Sequence, residues 1–305
     1  MKTGTVYCFG SLNIDYVYGV SHIVRPGETL DTQRPARSAG GKGLNQSVAL
    51  ARAGVPTAHA GKIGPDGLFL KELLQQAGAD VSRVLVDENS ATGHALIQVE
   101  PSGQNAILLF GGANREITPD LIDSALADAR PGDVLLLQNE LNDTAALIRA
   151  GHARGMRVAL NCAPFSPEAK GYPYELVDLL FVNETEGAGL TGETEPEAIL
   201  EGLAKLCPGL VVLTLGTQGA LAAKDGQVCR EGIVPVDAVD TTGAGDTYTG
   251  YFLAEYLASG DLAAAMRLAA AASALEVTKP GAAPSIPTMA EVRAFVKSPG
   301  FVERR

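Results

Sequence analysis

Leu179-Leu-Phe-Val182 runs directly into Asn183-Glu-Thr-Glu186. Four consecutive apolar residues, with no polar alternation, suit a strand covered on both faces. Acids immediately after it suit the first turn of a helix, where the dipole favours negative charge. Similar short apolar runs recur at Val6–Phe9, Val134–Leu137, Val158–Leu160 and Val211–Leu215, with amphipathic stretches between them. Thr118-Pro119-Asp120 offers an N-cap and an N1 proline, and Thr288-Met-Ala-Glu291 a capping box. Alanine-rich helices are predicted at roughly Ala244–Ala258 and Leu262–Val277, with side chains small enough to pack closely on a sheet. Together these predict an α/β chain on a doubly wound parallel sheet.

Two stretches break the alternation. Residues 14–36 hold strand-like Tyr16-Val17-Tyr18 and then Pro-Gly turns, and residues 92–112 read as a hairpin, His94–Val99 and Asn105–Phe110 around Pro101-Ser-Gly103. They predict a small β-sheet lid, whose outer face is either solvated or paired with a second copy. No repeat or linker divides the chain, so 1–305 is read as one domain.

The 305 residues carry 24 Lys plus Arg against 35 Asp plus Glu, a net charge of −11. Such a chain is repelled by phosphate backbones and anionic lipid, which argues against nucleic-acid and membrane partners. No apolar run approaches the ~20 residues of a membrane span, and the opening residues lack a signal-peptide core. Cys8, Cys162, Cys207 and Cys229 are far apart, and the four histidines are scattered. Neither pattern suits zinc or disulfides, so buried thiols in a reducing cytoplasm are expected.

The chemistry must therefore come from carboxylates, amides and glycines. In Asp240-Thr-Thr-Gly-Ala-Gly-Asp246-Thr247, Gly243, Ala244 and Gly245 leave amides uncovered at a helix start, an anion site. Asp246 would repel a bound phosphate; its presence makes sense if it takes a proton from a hydroxyl while the amides stabilise a phosphoryl group in transfer. As a plain helix cap it would need no such partners. Ala39-Gly-Gly-Lys-Gly-Leu-Asn45 lets backbone approach a ligand, with Lys42 and Asn45 pointing at it, and it is not a Walker A loop. Asn13 and Asp15 lie on one side of an extended chain and suit sugar hydroxyls, though an Asx-turn would explain one of them. Glu140, Glu184 and Glu186 follow strand ends, where ligands of open α/β sheets bind. Oxygen ligands of this kind suit Mg²⁺, usually through water, and a first-turn helix acid is the plainer reading for one of the last two. His94 and Phe110, in and at the end of the lid hairpin, are placed where a ligand could be met, although a surface role suits His94 better.

In this order along the chain, Gly-Ser-Leu-Asn-Ile-Asp, Gly-Gly-Lys-Gly-Leu-Asn-Gln, Asn-Glu-Thr-Glu, Thr214-Leu-Gly216 and Asp-Thr-Thr-Gly-Ala-Gly-Asp-Thr resemble the PfkB carbohydrate kinases over residues 5–290, most closely the ribokinase branch. That resemblance implies a ribokinase-like three-layer αβα sandwich with a mostly parallel sheet and a β-lid. It implies Asp246 as base for a primary hydroxyl, the Gly243–Gly245 amides as anion hole, and Asn13, Asp15, Gly41, Lys42, Asn45 and Glu140 around the sugar. Asn183 and Glu186 would serve Mg²⁺ and phosphate, and Thr214, Gly216 and Gly245 would border ATP. Asp240, Thr242, Glu276, Lys279, Gly281 and Ser285 would hold an activating K⁺, several through carbonyls. The expected activity is phosphorylation of ribose by ATP, the expected assembly a homodimer through the lid. The alternatives are a kinase for another sugar, a sugar acid or a nucleoside, and a non-catalytic sugar-binding paralogue. A dinucleotide oxidoreductase is disfavoured, because Gly10-Ser-Leu-Asn13 replaces the Rossmann glycines. The helix Leu268-Ala-Ala-Ala-Ala-Ser-Ala274 carries no large side chain for an adenine base, which leaves the choice of nucleotide open.

Overall fold

Continuous apolar runs pair into a sheet because burial on both faces leaves hydrogen bonding to like neighbours as the outlet for their backbone groups. The structure, a computed structural model, describes residues 4–32 and 35–298; the chain start at 1–3, positions 33–34 within the 14–36 stretch, and 299–305 lie outside the described residues.

The strands are β1 (Val6–Phe9), β2 (Asn13–Gly19), β3 (Pro35–Gly40), β4 (Thr57–Ile63), β5 (Asp80–Val86), β6 (Gly93–Val99) and β7 (Asn105–Phe110), then β8 (Val134–Gln138), β9 (Arg157–Asn161), β10 (Leu179–Asn183), β11 (Leu210–Thr214), β12 (Ala220–Lys224) and β13 (Gln227–Glu231). The helices are α1 (Lys42–Arg52), α2 (Leu68–Gln76), α3 (Pro119–Ala125), α4 (Thr144–Ala153), α5 (Glu184–Thr191), α6 (Pro196–Leu206), α7 (Ala244–Ser259), α8 (Leu262–Glu276) and α9 (Met289–Val296). One sheet has the order β13-β12-β11-β10-β9-β8-β1-β4-β5, parallel from β11 to β5. β12 and β13 close it as an antiparallel hairpin, so the sheet is mostly parallel, as the resemblance implies. Its turn is Asp225-Gly226, both left-handed, a combination that matches the twist of a two-residue hairpin.

Side-chain alternation divides the core. Leu179 and Phe181 of β10 face a cluster with α1, α7 and α8, while Leu180 and Val182 face a second cluster with α4 and α6. This is the three-layer arrangement expected. Thr118 and Thr288 cap their helices as predicted, Thr288 within a full capping box with Glu291. Cys8, Cys162 and Cys207 are buried free thiols, but Cys229 on the edge hairpin is only half-buried.

The separate sheet has the order β3-β2-β6-β7. It takes in the predicted hairpin and also Arg37–Gly40, beyond the 14–36 stretch, because β3 pairs antiparallel with β2 along its whole length. β2 leaves the end of β1 and β3 leads into α1, so both lid strands are continuous with the parts of the molecule that carry the polar motifs.

Candidate active site

The site is built where α1 crosses α7. Gly250 of α7 lies against Ala49 of α1, so closely that a Cβ at 250 would fall 2.4 Å from that of Ala49. One helical turn back on each helix, this approach brings Asn45 and Gln46 onto Asp246. Asn45 Nδ2 donates to Oδ2 at 2.9 Å and Gln46 Nε2 to Oδ1 at 2.8 Å. Asp246 is 7% exposed, yet it is not a core residue cut off from the motifs, because the glycine-lysine segment grips it directly. Burial pushes its carboxyl above the ordinary aspartate range, against the pull of Lys42 and the two amides. The NH2 of Asn45 is thereby committed to Asp246, and its buried Oδ1 has no partner.

Gly243 stands just before Asp246's helix with φ 93°, a left-handed turn that glycine takes at little cost. A Cβ there would meet Ala282 at 3.0 Å and the Glu276 carboxylate at 3.2 Å. Ala244's amide is drawn to the Thr241 carbonyl at 3.3 Å, while those of Gly243 and Gly245 make no backbone hydrogen bond among the described residues. Gly245 is exposed, with open space where a side chain would be. An anion could therefore reach this turn beside Asp246.

On the lid side, the turn between β1 and β2 carries Ser11, whose hydroxyl donates to Glu140. Glu140 also accepts from the Lys42 amide at 3.1 Å, tying the loop after β8 to the start of α1, next to Gly41. Asn13 Oδ1 accepts from Asn114 Nδ2 at 2.8 Å, and Asn114 in turn brackets the Leu12 backbone, at 3.0 and 3.2 Å. Asp15 lies against Gly40 and accepts no hydrogen bond from any described residue. Burial and the nearby Glu140 push its carboxyl up to about 7. Burial alone would lower the Lys42 ammonium, but Asp246, Glu140 and Glu186 more than reverse it, so Lys42 stays firmly charged. The structure thus brings Asn13, Asp15, Gly41, Lys42, Asn45, Glu140 and Asp246 to one cleft.

Asn183 and Glu186 form a reciprocal capping box at α5, with bonds of 2.8, 2.9 and 3.1 Å, while Glu184 is exposed. Burial raises the Glu186 carboxyl despite the Asn183 amide. Both oxygens are already bonded, so this pair fits a hydrated Mg²⁺ through water rather than direct ligation. Thr214 pairs with Asn183 in the sheet, and Gly216 begins the turn after β11.

Beside the amide turn, Asp240 accepts from the amides of Thr242 at 2.9 Å and Gly281 at 2.8 Å, joining two loops. Glu276 is fully buried; Ser285 donates to its Oε1 at 3.1 Å and its Oε2 is unpartnered. Burial pushes this carboxyl up to about 8. A buried unpaired carboxylate oxygen fits a nearby cation. Among the described residues no three His, Cys, Asp or Glu are clustered for a metal, so a cation here would rely on carbonyls. Lys279 turns its ammonium to Glu291 at 3.5 Å and can contribute only backbone.

Register corrects two lid expectations. Asp15 pairs with Ala95, whereas His94 pairs with Ile14 and Phe110, which places His94 and Phe110 on the face opposite Asp15. There His94 lies against Phe110, with ring centroids 5.0 Å apart and planes tilted by 38°, and neither meets the cleft from that face. Ser11, Gln46, Asn114 and Gln138 hold the site together but are not among the expected site residues, although Ser11 and Gln46 lie within the quoted glycine motifs.

Residues 4–289 match the model of the family described as "pfkB family carbohydrate kinase". A ribokinase of Haemophilus influenzae is 36% identical over 308 residues, covering 97% of this chain and 99% of that protein. A deoxyribokinase of Salmonella typhi is 31% identical, covering 94% and 97%. The solved structure of Arabidopsis thaliana ribokinase complexed with ribose and ATP superposes with a TM-score of 0.86 at 32% identity, covering 98% of this chain and all of that one (100%).

Proposed function

The chain belongs to the pfkB family of carbohydrate kinases, and from that premise we propose that it transfers the γ-phosphoryl group of ATP to the primary hydroxyl of D-ribose, giving ribose 5-phosphate. The observation that carries this is Asp246, held by Asn45 and Gln46 at the mouth of an amide-rich turn and facing a cleft of sugar-binding character. Asp246 accepts the hydroxyl proton as the oxygen attacks in line, and the Gly243–Gly245 turn receives the charge of the phosphoryl group. Asn13, Asp15, Asn45 and Glu140 bind the sugar hydroxyls, with Asp15 and the Asn45 Oδ1 bringing acceptors that lack protein partners. Lys42, among three carboxylates, balances charge between the sugar and phosphate sides. The lid excludes water, so that ATP is not hydrolysed instead.

Asn183 and Glu186 would hold Mg²⁺ through water, and that ion would neutralise phosphate charge. The Asp240 and Glu276–Ser285 loops would hold K⁺, which would steady the amide turn. Thr214, Gly216 and Gly245 border the nucleotide. The whole chain acts as one kinase domain with the lid inserted at about 14–36 and 92–112. β7 is an edge strand with apolar residues exposed on both faces, Ile107 (59%) and Leu108 (69%) among them, which suits a homodimer through the lid. No helix among the described residues is long and apolar enough to cross a membrane; the free thiols and the ATP donor suit the cytoplasm.

An ADP-release assay over pentoses, 2-deoxyribose, hexoses, sugar acids and nucleosides, with and without K⁺, tests this reading. Ribose should give the highest kcat/KM. A higher value for another acceptor would reassign the substrate, and no ADP release with any would remove the kinase reading.

A further inference from the structure

The carboxylate at the helix crossing is one end of a longer buried polar chain. Gln138, the last residue of β8, donates from Nε2 to Gln46 Oε1 at 2.7 Å, and Gln46 Nε2 donates to Asp246 Oδ1 at 2.8 Å. Gln46 is 0% and Gln138 1% exposed. Behind them, Gln138 Nε2 also approaches Cys8 Sγ at 3.5 Å, and that thiol reaches the Gly43 carbonyl at 3.5 Å. The Gln138 Oε1 has no partner and sits where Gly10 leaves room for it.

An amide has one donating and one accepting end. Turning Gln46 round would set its carbonyl against the Asp246 carboxylate and its NH2 against the NH2 of Gln138, two repulsive contacts in a dry junction. Amides exchange no proton readily at neutral pH, so this chain orients and does not conduct. We propose that Gln138, acting through Gln46, is a positioning residue for the phosphoryl-transfer step: it dictates which end of Gln46 meets Asp246, and so keeps that carboxylate ionised and unable to rotate. The inference rests on the reading of Asp246 as the base. The other groups facing Asp246 are Lys42 from α1, Glu140 from the loop after β8, Glu186 from α5, Glu276 from α8 and Cys8 from β1. Lys42 favours the ionised state; the three carboxylates oppose it when charged, and the buried Cys8 thiol, pushed up to about 11, is uncharged at neutral pH.

The test is the pH profile of kcat in Q138E and Q138M, alongside the ribose dissociation constant from calorimetry. Q138E offers Gln46 only acceptors while its carboxylate is ionised, so Gln46 reverses. The acidic limb should then rise by about one pH unit, the scale of one hydrogen bond to a charged group, so that kcat falls by up to about tenfold at pH values below the limb and recovers above it. Q138M, which buries no charge and keeps the test available if Q138E does not fold, should shift the limb less and in the same direction. Ribose affinity should stay within about threefold in both, since neither glutamine reaches the cleft. An unmoved limb in both variants, with only thermal stability reduced, overturns the proposal. D246N separates the two failures: if it turns over normally, the base reading falls, and if it is inactive while the limbs stay put, only the positioning role falls.

Discussion

The helix crossing and the lid each present an aspartate to the same cleft, in opposite surroundings. At the crossing, Asp246 has an amide on each oxygen and a lysine nearby before any ligand arrives. On the lid, Asp15 is partly buried but accepts nothing from a described residue, and Glu140 adds repulsion. The first carboxylate is finished by the protein and the second is left for the ligand to finish. A reacting group gains from preorganisation, because reorganising around it would be added to the barrier. A binding group gains from being unsatisfied, because sugar hydroxyls then replace a penalty rather than competing with existing bonds.

The contrast breaks most sharply in D246N. It should lower kcat by about 10³-fold, within the range of a lost general base, while ribose binding by calorimetry changes little; a large loss of affinity would place Asp246 with the binding groups. D15N should do the reverse, raising the ribose KM on the order of tenfold to a hundredfold with a smaller effect on kcat, since the hydroxyl donors lose a charged acceptor.

The same pair differs in pH. The folded Asp15 value, about 7, lies above the ordinary 3.8. Its contribution to stability of the ligand-free fold is therefore fully present below 3.8 and lost as pH rises through about 7. Sugar hydroxyls favour the charged form, so ribose binding should release a proton, and affinity should weaken by up to about tenfold per unit as pH drops below 7. D15N should flatten both profiles, as read by thermal melts and calorimetry; an unchanged slope would assign the proton elsewhere.

Replacing K⁺ with Na⁺ or a bulky organic cation should lower kcat about severalfold, because the ion only steadies the turn beside Asp246, and K⁺ should raise the melting temperature of the wild type. Indifference in both measurements would remove the ion from the Glu276 loops. The smallest catalytic effect is expected of L108K. It should convert dimer to monomer in sedimentation and leave kcat within about threefold, as Leu108 lies on the lid face away from Asp15.

Legibility followed the kind of signal. β1, β8, β9, β10 and β11 were readable because two-sided burial demands unbroken apolar runs. β4, Thr57-Ala-His-Ala-Gly-Lys-Ile63, is as buried as they are, yet its polar residues meet particular partners, such as Ser47 Oγ, 2.7 Å from His59 Nδ1, and Glu116, 2.6 Å from Lys62 Nζ. Its burial is thus invisible along the chain. β12 and β13 are marked along the chain only by the Asp225-Gly226 turn between them. Asp246 and the glycine segments announced themselves through composition and order, since amide-rich turns need glycine. Gln138 and Asn114 did not, because a lone amide has no spacing to betray it, and Ser11, though inside the Gly10–Asp15 motif, carries nothing local that marks Glu140 as its partner.

By itself, then, the amino-acid order determined the layered α/β architecture, the lid hairpin and which residue types could bind anions and hydroxyls, for these follow from local periodicity, capping and glycine content. Only the folded molecule decided that Gln46 and Gln138 stand behind Asp246, that Asp15 is left without a partner and that His94 and Phe110 turn away. Those are matters of helix crossing and strand register between residues as many as 201 positions apart, and hydrogen-bond geometry at that range is set by packing rather than by neighbours in the chain.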